Sequence, residues 1–193
     1  IDGAREVIGM ALNEQGYSLN ATDMGQLNKA YDRLKQLTPN IKAIVADEIK
    51  QYMINNEAAA AVTFSGEAAE MVSQNKHLHY VVPSEGSNLW FDNIVIPKTA
   101  KNFPAAYAFI NFMLEPKNAA QNAEYVGYAT PNAAAKKLLP KEATADQAFY
   151  PSDEVMNHLA VYKNLGPKYL GIYNDLFLSV KMYRRWLENS VKT

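Results

Sequence analysis

Trp90 and Asp92 stand two residues apart in the run Leu89-Trp90-Phe91-Asp92-Asn93-Ile94-Val95-Ile96-Pro97. An extended backbone would put both side chains on one face, roughly 7 Å apart along the strand. A carboxylate among apolar neighbours is expensive to bury unless a cation or hydrogen-bond donors meet it. An aromatic plane beside that carboxylate suits an organic ammonium group, which the ring attracts through its quadrupole and the carboxylate through its charge. The same residues admit an ordinary reading, with Trp90 a core tryptophan and Asp92 a helix cap or the partner of an arginine of this chain. Glu6 is a second carboxylate of interest: in the first turn of a predicted helix it either complements the helix dipole or supplies another anion to a cleft. His77 and His79 could face the same way, but no third ligand of matching spacing accompanies them, so they are expected at a solvated strand edge rather than at a metal. No phosphate-binding glycine loop, nucleophile elbow or metal set is present, and neither cofactor nor metal is expected.

The elements that must hold these residues alternate between strand and helix, which predicts an α/β class. Residues 89–96 read as a strand whose two faces are both mostly apolar, hence covered on both sides. A helix over 4–15 follows Asp2 as its N-cap, and Asp23 to Gln26 has the form of a capping box that opens a helix ended by Thr38-Pro39. Residues 41–45 could be a strand, 47–56 a helix and 58–64 a compact apolar strand. That strand leads through Ser65-Gly66-Glu67 into a helix over 67–74, a βα unit whose strand end, occupied by Phe64, is where ligands collect in open α/β sheets. A strand over 78–82 follows, and after Pro97 a helix over 104–114 carries Tyr107, Phe109, Ile110, Phe112 and Met113 to bury. The next helix, over 116–126, meets Gly127. In the loop Gly127-Tyr128-Ala129-Thr130-Pro131-Asn132, Tyr128 either covers the core or faces a ligand. Tyr150-Pro151-Ser152-Asp153 opens another helix, ended by Asn164-Leu165-Gly166-Pro167. The last helix, 171–190, sets Ile172, Leu176, Phe177, Val180, Tyr183 and Leu187 on one stripe, with Lys181, Arg184 and Arg185 on its solvated face.

The chain of 193 residues is 48% hydrophobic and 20% charged, with a formal net charge of -1, the profile of a globular protein with one large core or two small ones. No basic stripe is present, which argues against nucleic acid as the main partner. No apolar run approaches the ~18 residues of a membrane span. There is no cysteine, so disulfides and thiolate chemistry are excluded while the compartment stays open. The abrupt start at Ile1, without initiator methionine, signal peptide or lead-in, predicts a fragment or a processed chain.

Four segments in register, Asp2-Gly3-Ala4-Arg5-Glu6-Val7, Phe64-Ser65-Gly66, Leu89 to Pro97 and Gly127-Tyr128-Ala129-Thr130-Pro131-Asn132, resemble the spermidine/putrescine-binding proteins of bacterial polyamine ABC transporters over nearly the whole chain. The resemblance implies a periplasmic-binding-protein-like (type II) α/β fold of two lobes closing on a polyamine, with this chain corresponding to the part after the first half. It implies a division into 1–88, belonging to the C-terminal lobe, 89–136, crossing to the N-terminal lobe, and 137–193, a helical segment returning to the C-terminal lobe. It implies ligand-binding roles for Glu6, Phe64 (where the family often has tryptophan), Trp90, Asp92 and Tyr128. Three residues before the glutamate, a position where an acid occurs in the family, this chain has Gly3. The partners implied are a polyamine and the transporter's membrane permease. The implied location is periplasmic, or extracellular and membrane-anchored as a lipoprotein. Other expectations are a binding protein for another cationic or amino solute and an enzyme using Glu6 and Asp92 as acid and base; the second lacks any accompanying nucleophile, metal set or cofactor loop.

Overall fold

A computed structural model describes residues 1–190, with the side chains of 185 and 187–190 outside the description. The chain divides into two compact units, one formed by Ile1–Thr63, Val82–Trp90 and the residues from Val155 onward, the other by Phe64–Val81 and Phe91–Glu154.

In the first unit three helices share a core. Helix α1 (Ala4–Glu14) buries Val7, Ile8, Ala11 and Leu12, and α2 (Met24–Leu37) buries Leu27, Ala30 and Leu34. The long C-terminal helix Gly166–Ser190 adds Tyr173, Phe177 and Val180. These residues recur at three- and four-residue steps, the spacing that keeps one stripe of a helix facing its neighbours. Asp23 caps α2 by accepting from the Gln26 amide at 2.9 Å, as its capping-box form predicts. Thr38, just past α2, is buried and returns its hydroxyl to the Leu34 carbonyl at 2.8 Å. A short helix α3 (Ile49–Ile54) follows. The sheet of this unit is a two-stranded parallel ladder, β1 (Ser87–Asn88) against β2 (Leu159–Ala160), in register Ser87↔Leu159 and Asn88↔Ala160. Gly86 precedes it at φ 106, where an added Cβ would lie 2.4 Å from the His158 carbonyl oxygen. Only glycine fits there.

In the second unit α4 (Ser65–Gln74) is followed by α5 (Phe103–Leu114), α6 (Pro116–Val126), α7 (Ala133–Lys136) and α8 (Lys141–Ala145). Ala120 and Ala123 of α6 pack with Ala135 and Leu139 into a small core that Tyr150 flanks. Gly127 ends α6 in the left-handed region at φ 73, the usual solution for a helix C-terminus. Tyr80 stacks on Phe149 with ring centroids 5.5 Å apart.

Several expectations are corrected. Residues 41–45, 58–64, 78–82 and 89–96 are not in strands. An apolar run sets which face a strand would bury, but a ladder also needs a neighbour at about 4.8 Å, and the only ladder among the described residues pairs 87–88 with 159–160. Ile94 and Val95 accordingly stay 55% and 78% exposed. Phe64 therefore ends no strand; it is the extended N-cap of α4. None of the residues of α5 is buried, against the expectation for Tyr107, Phe109, Ile110, Phe112 and Met113. The helix expected from Tyr150 shrinks to α9 (Asp153–Met156), with β2 next, and the last helix, α10, starts at Gly166, five residues early. Asp2 is not a cap: Gly3 is the N-cap of α1, and Asp2 accepts from Lys181 at 3.0 Å. Arg184 is likewise no solvated residue, since its guanidinium donates to the carbonyls of Ile41 and Lys42. Leu187 and Arg185 fall outside the described side chains.

Candidate functional site

Glu6 and Trp90 belong to the first unit; Phe64, Asp92 and Tyr128 belong to the second. Within the first unit, Glu6 sits in the first turn of α1, where the helix dipole favours a carboxylate. Its carboxylate folds back over Gly3, so that a Cβ added at Gly3 would fall 2.0 Å from Oε2. The missing side chain is what gives the carboxylate that position. Glu6 has no hydrogen bond or ion pair among the described residues. Close to it stands Tyr162, whose hydroxyl would touch a Cβ added at Gly9 at 3.4 Å. The Tyr162 phenol is held well above its ordinary range, chiefly by burial and then by the Glu6 carboxylate, while Arg5 pulls the other way. Trp90 follows β1 directly. The amide of Leu89 donates to the Ala160 carbonyl at 3.0 Å, anchoring the residue before it, and Trp90 is 36% exposed.

Within the second unit, Phe64 and Tyr128 come together around the start of α4. Phe64 is the N-cap, and two residues later Gly66 is buried under the Tyr128 ring: a Cβ at Gly66 would lie 2.3 Å from Cε2. The loop bearing Tyr128 is braced beyond the ring. The Thr130 amide donates to the Tyr150 hydroxyl at 3.2 Å. Asn132 accepts from the amides of Ala134 and Ala135, capping α7, and donates to the Leu114 carbonyl at 2.9 Å. The Gly-Tyr-x-Thr-Pro-Asn pattern thus reads as a set of fasteners for one ring. Asp92 is exposed on an unpaired segment and makes no hydrogen bond or ion pair among the described residues. Its neighbour Asn93 folds back onto the Phe91 carbonyl at 3.1 Å.

Arg5, Asn20 and Tyr162 escaped the sequence reading as a group. Their connection is long-range, joining positions 5, 20 and 161–163 through an Arg5–Asn20 side-chain bond and Asn20 side-chain bonds to backbone, and no local spacing announces that. Among the described residues no cluster of three or more His, Asp or Glu side chains is placed to hold a metal, and no helix is long and apolar enough to cross a membrane. The arrangement offers two uncommitted carboxylates with aromatic rings in both units, groups that attract organic cations.

A family model described as "Bacterial extracellular solute-binding protein" matches residues 2–151. The spermidine/putrescine-binding periplasmic protein of Escherichia coli K12 is 37% identical over 183 residues, covering 95% of this chain and 52% of that protein. The putrescine-binding periplasmic protein PotF of the same organism is 29% identical over 175 residues, covering 87% of this chain and 47% of that one. Among solved structures, the spermidine/putrescine ABC transporter substrate-binding protein PotD of Streptococcus pneumoniae superposes with a TM-score of 0.87 at 64% identity, covering 95% of this chain and 57% of its own. The chain therefore spans about half the length of the relatives it matches. Over that shared part the expected α/β, periplasmic-binding-protein-like (type II) fold holds, here in a mostly helical portion with a small sheet.

Proposed function

Because the chain belongs to the bacterial extracellular solute-binding protein family, we propose that it is part of a polyamine-capturing protein that binds spermidine or putrescine and delivers it to the permease of an ABC transporter. The observation that carries the reading is that Glu6 and Asp92 are acids without a partner of their own among the described residues, each close in space or sequence to an aromatic residue, Tyr162 or Trp90. Ligand-binding roles are proposed for Glu6 and Trp90 of the first unit and, separately, for Asp92, Phe64 and Tyr128 of the second, the carboxylates suited to ammonium groups and the rings to a methylene chain. A charge-assisted hydrogen bond contributes about 1.5–3 kcal/mol and a desolvated cation over a ring about 2. Ordering a flexible polyamine opposes both, so tight binding requires these groups to be preorganised. The names of the relatives support a binding rather than a catalytic role, since they are described as binding proteins.

The division into 1–88, 89–136 and 137–193 is proposed with it. The apolar helix α5, none of whose residues is fully buried, supports a crossing segment that packs against further parts of a protein about twice this length. Placement outside the cytoplasmic membrane follows the relatives' description as periplasmic. Anchoring as a lipoprotein is the finer proposal, and incorporation of labelled palmitate tests it. Calorimetric titration of spermidine and of putrescine into the natural full-length protein tests the function. Binding that disappears in Asp92→Asn and weakens in Trp90→Ala supports it; no heat with either amine in folded protein refutes it.

A further inference from the structure

Arg5 precedes Glu6 on α1, and consecutive helical residues point about 100° apart rather than toward one another. The Arg5 guanidinium is engaged elsewhere through its two terminal nitrogens, while its buried Nε has no hydrogen-bond partner among the described residues. Its Nη2 donates to the Leu19 carbonyl at 3.1 Å and to Asn20 Oδ1 at 2.9 Å, and its Nη1 to the Lys163 carbonyl at 3.4 Å. Its Cζ lies 4.5 Å from the Tyr162 ring centroid and 4.9 Å from that of Tyr173. Asn20 completes the fastening: Oδ1 also accepts from the Lys163 amide at 2.8 Å, and Nδ2 donates to the Val161 carbonyl at 3.0 Å. Residues 161–163 are thus stitched to the turn after α1 by one arginine and one asparagine, and the Tyr162 ring is pinned beside Glu6. The cation adjacent in sequence to Glu6 thus bonds to Leu19, Asn20 and Lys163 rather than to that carboxylate.

We propose that Arg5 is a positioning residue of the amine site: by locking Tyr162 and segment 161–163 against α1, it fixes one wall around Glu6 and keeps its own charge off that carboxylate, leaving it open to a ligand ammonium. The inference rests on the polyamine reading for what Glu6 binds. The role needs a planar, multiply donating cation. Lysine keeps the charge but presents one compact head that cannot bridge three acceptors while lying between two rings. A released arginine would be a competitor for the carboxylate it now leaves alone.

The test is spermidine calorimetry on the natural full-length protein carrying Arg5→Lys or Arg5→Met, each alone and on an Glu6→Gln background, with folding of every variant checked by melting. Arg5→Lys is the conservative variant in case Arg5→Met does not fold. Each substitution is expected to weaken spermidine about tenfold alone and less than about threefold on the Glu6→Gln background, because contributions routed through one group are not additive. Equal losses on both backgrounds, or no loss, would overturn the proposal, since a merely structural role lowers both alike. Amide exchange of Lys163 in the unliganded protein is expected to accelerate in both variants, and unchanged exchange overturns the clamp. If the natural protein binds no polyamine, the functional reading fails, and the exchange result alone decides whether Arg5 fastens 161–163.

Discussion

Replacing Gly66 by alanine should displace the one aromatic ring whose seat the structure defines most closely. The new Cβ would stand 2.3 Å from Cε2, 2.5 Å from Cζ and 2.6 Å from Cδ2 of Tyr128. Carbon atoms at ease sit about 3.5–4.0 Å apart, so the ring must retreat by more than about 1 Å. The backbone cannot slide with it, because Thr130 and Asn132 tie the loop to Tyr150, Leu114 and the start of α7. The ring must rotate, leaving its place over α4. Overpacking of this kind costs about 1–3 kcal/mol. The better helix propensity of alanine returns up to about 1 kcal/mol. The net expectation is a destabilisation of about 0–2 kcal/mol in urea unfolding, together with weaker spermidine binding, each 1.4 kcal/mol lost being tenfold in affinity. The sign should reverse on a Tyr128→Ala background, where the ring is gone and Gly66→Ala should stabilise the protein. Unchanged affinity in Gly66→Ala, or no gain in stability from it on the second background, would refute the seating of Tyr128 on Gly66.

Gly86→Ala should destabilise by more than the usual surface substitution, because φ 106 disfavours a side chain and the Cβ would press on the His158 carbonyl at 2.4 Å; a urea midpoint equal to that of the parent would contradict the β1–β2 geometry. Alkaline pH should also weaken the fold. The phenols of Tyr80, Tyr162 and Tyr173 are all held above their ordinary range by burial, so the folded state keeps protons that the unfolded state has released. Stability is then full below about pH 10 and falls as pH rises above it, by up to about 1.4 kcal/mol per pH unit for each such phenol. Urea midpoints measured from pH 8 to 11 should fall, and fall less steeply in Tyr162→Phe; an identical slope in that variant would remove Tyr162 from the account.

Local chemistry was legible in the residues themselves. Asp23 capped α2 and Gly127 closed α6 as their types require, since a cap is an interaction within a few residues and a left-handed turn selects glycine. The apolar spacing of α1 and α2 identified their buried stripes for the same reason. The candidate acids and rings were proposed because residue type and order carry chemistry, and the resemblance in four registered segments supplied the proposal that they meet a polyamine. The strands were misread because extended apolar segments such as 89–96 become strands only beside a partner, and sequence says nothing about which neighbour is within reach. Helix α5 shows the same limit, with a composition that asks for burial while its packing on α6 leaves no residue of it buried. Only the tertiary structure placed Tyr128 over Gly66, bent the Glu6 carboxylate into the space Gly3 leaves, and spent Arg5 on Asn20, Tyr162 and Tyr173. Those contacts join residues up to 168 positions apart, from Arg5 to Tyr173, and the range of a side chain in space has no counterpart in its range along the chain.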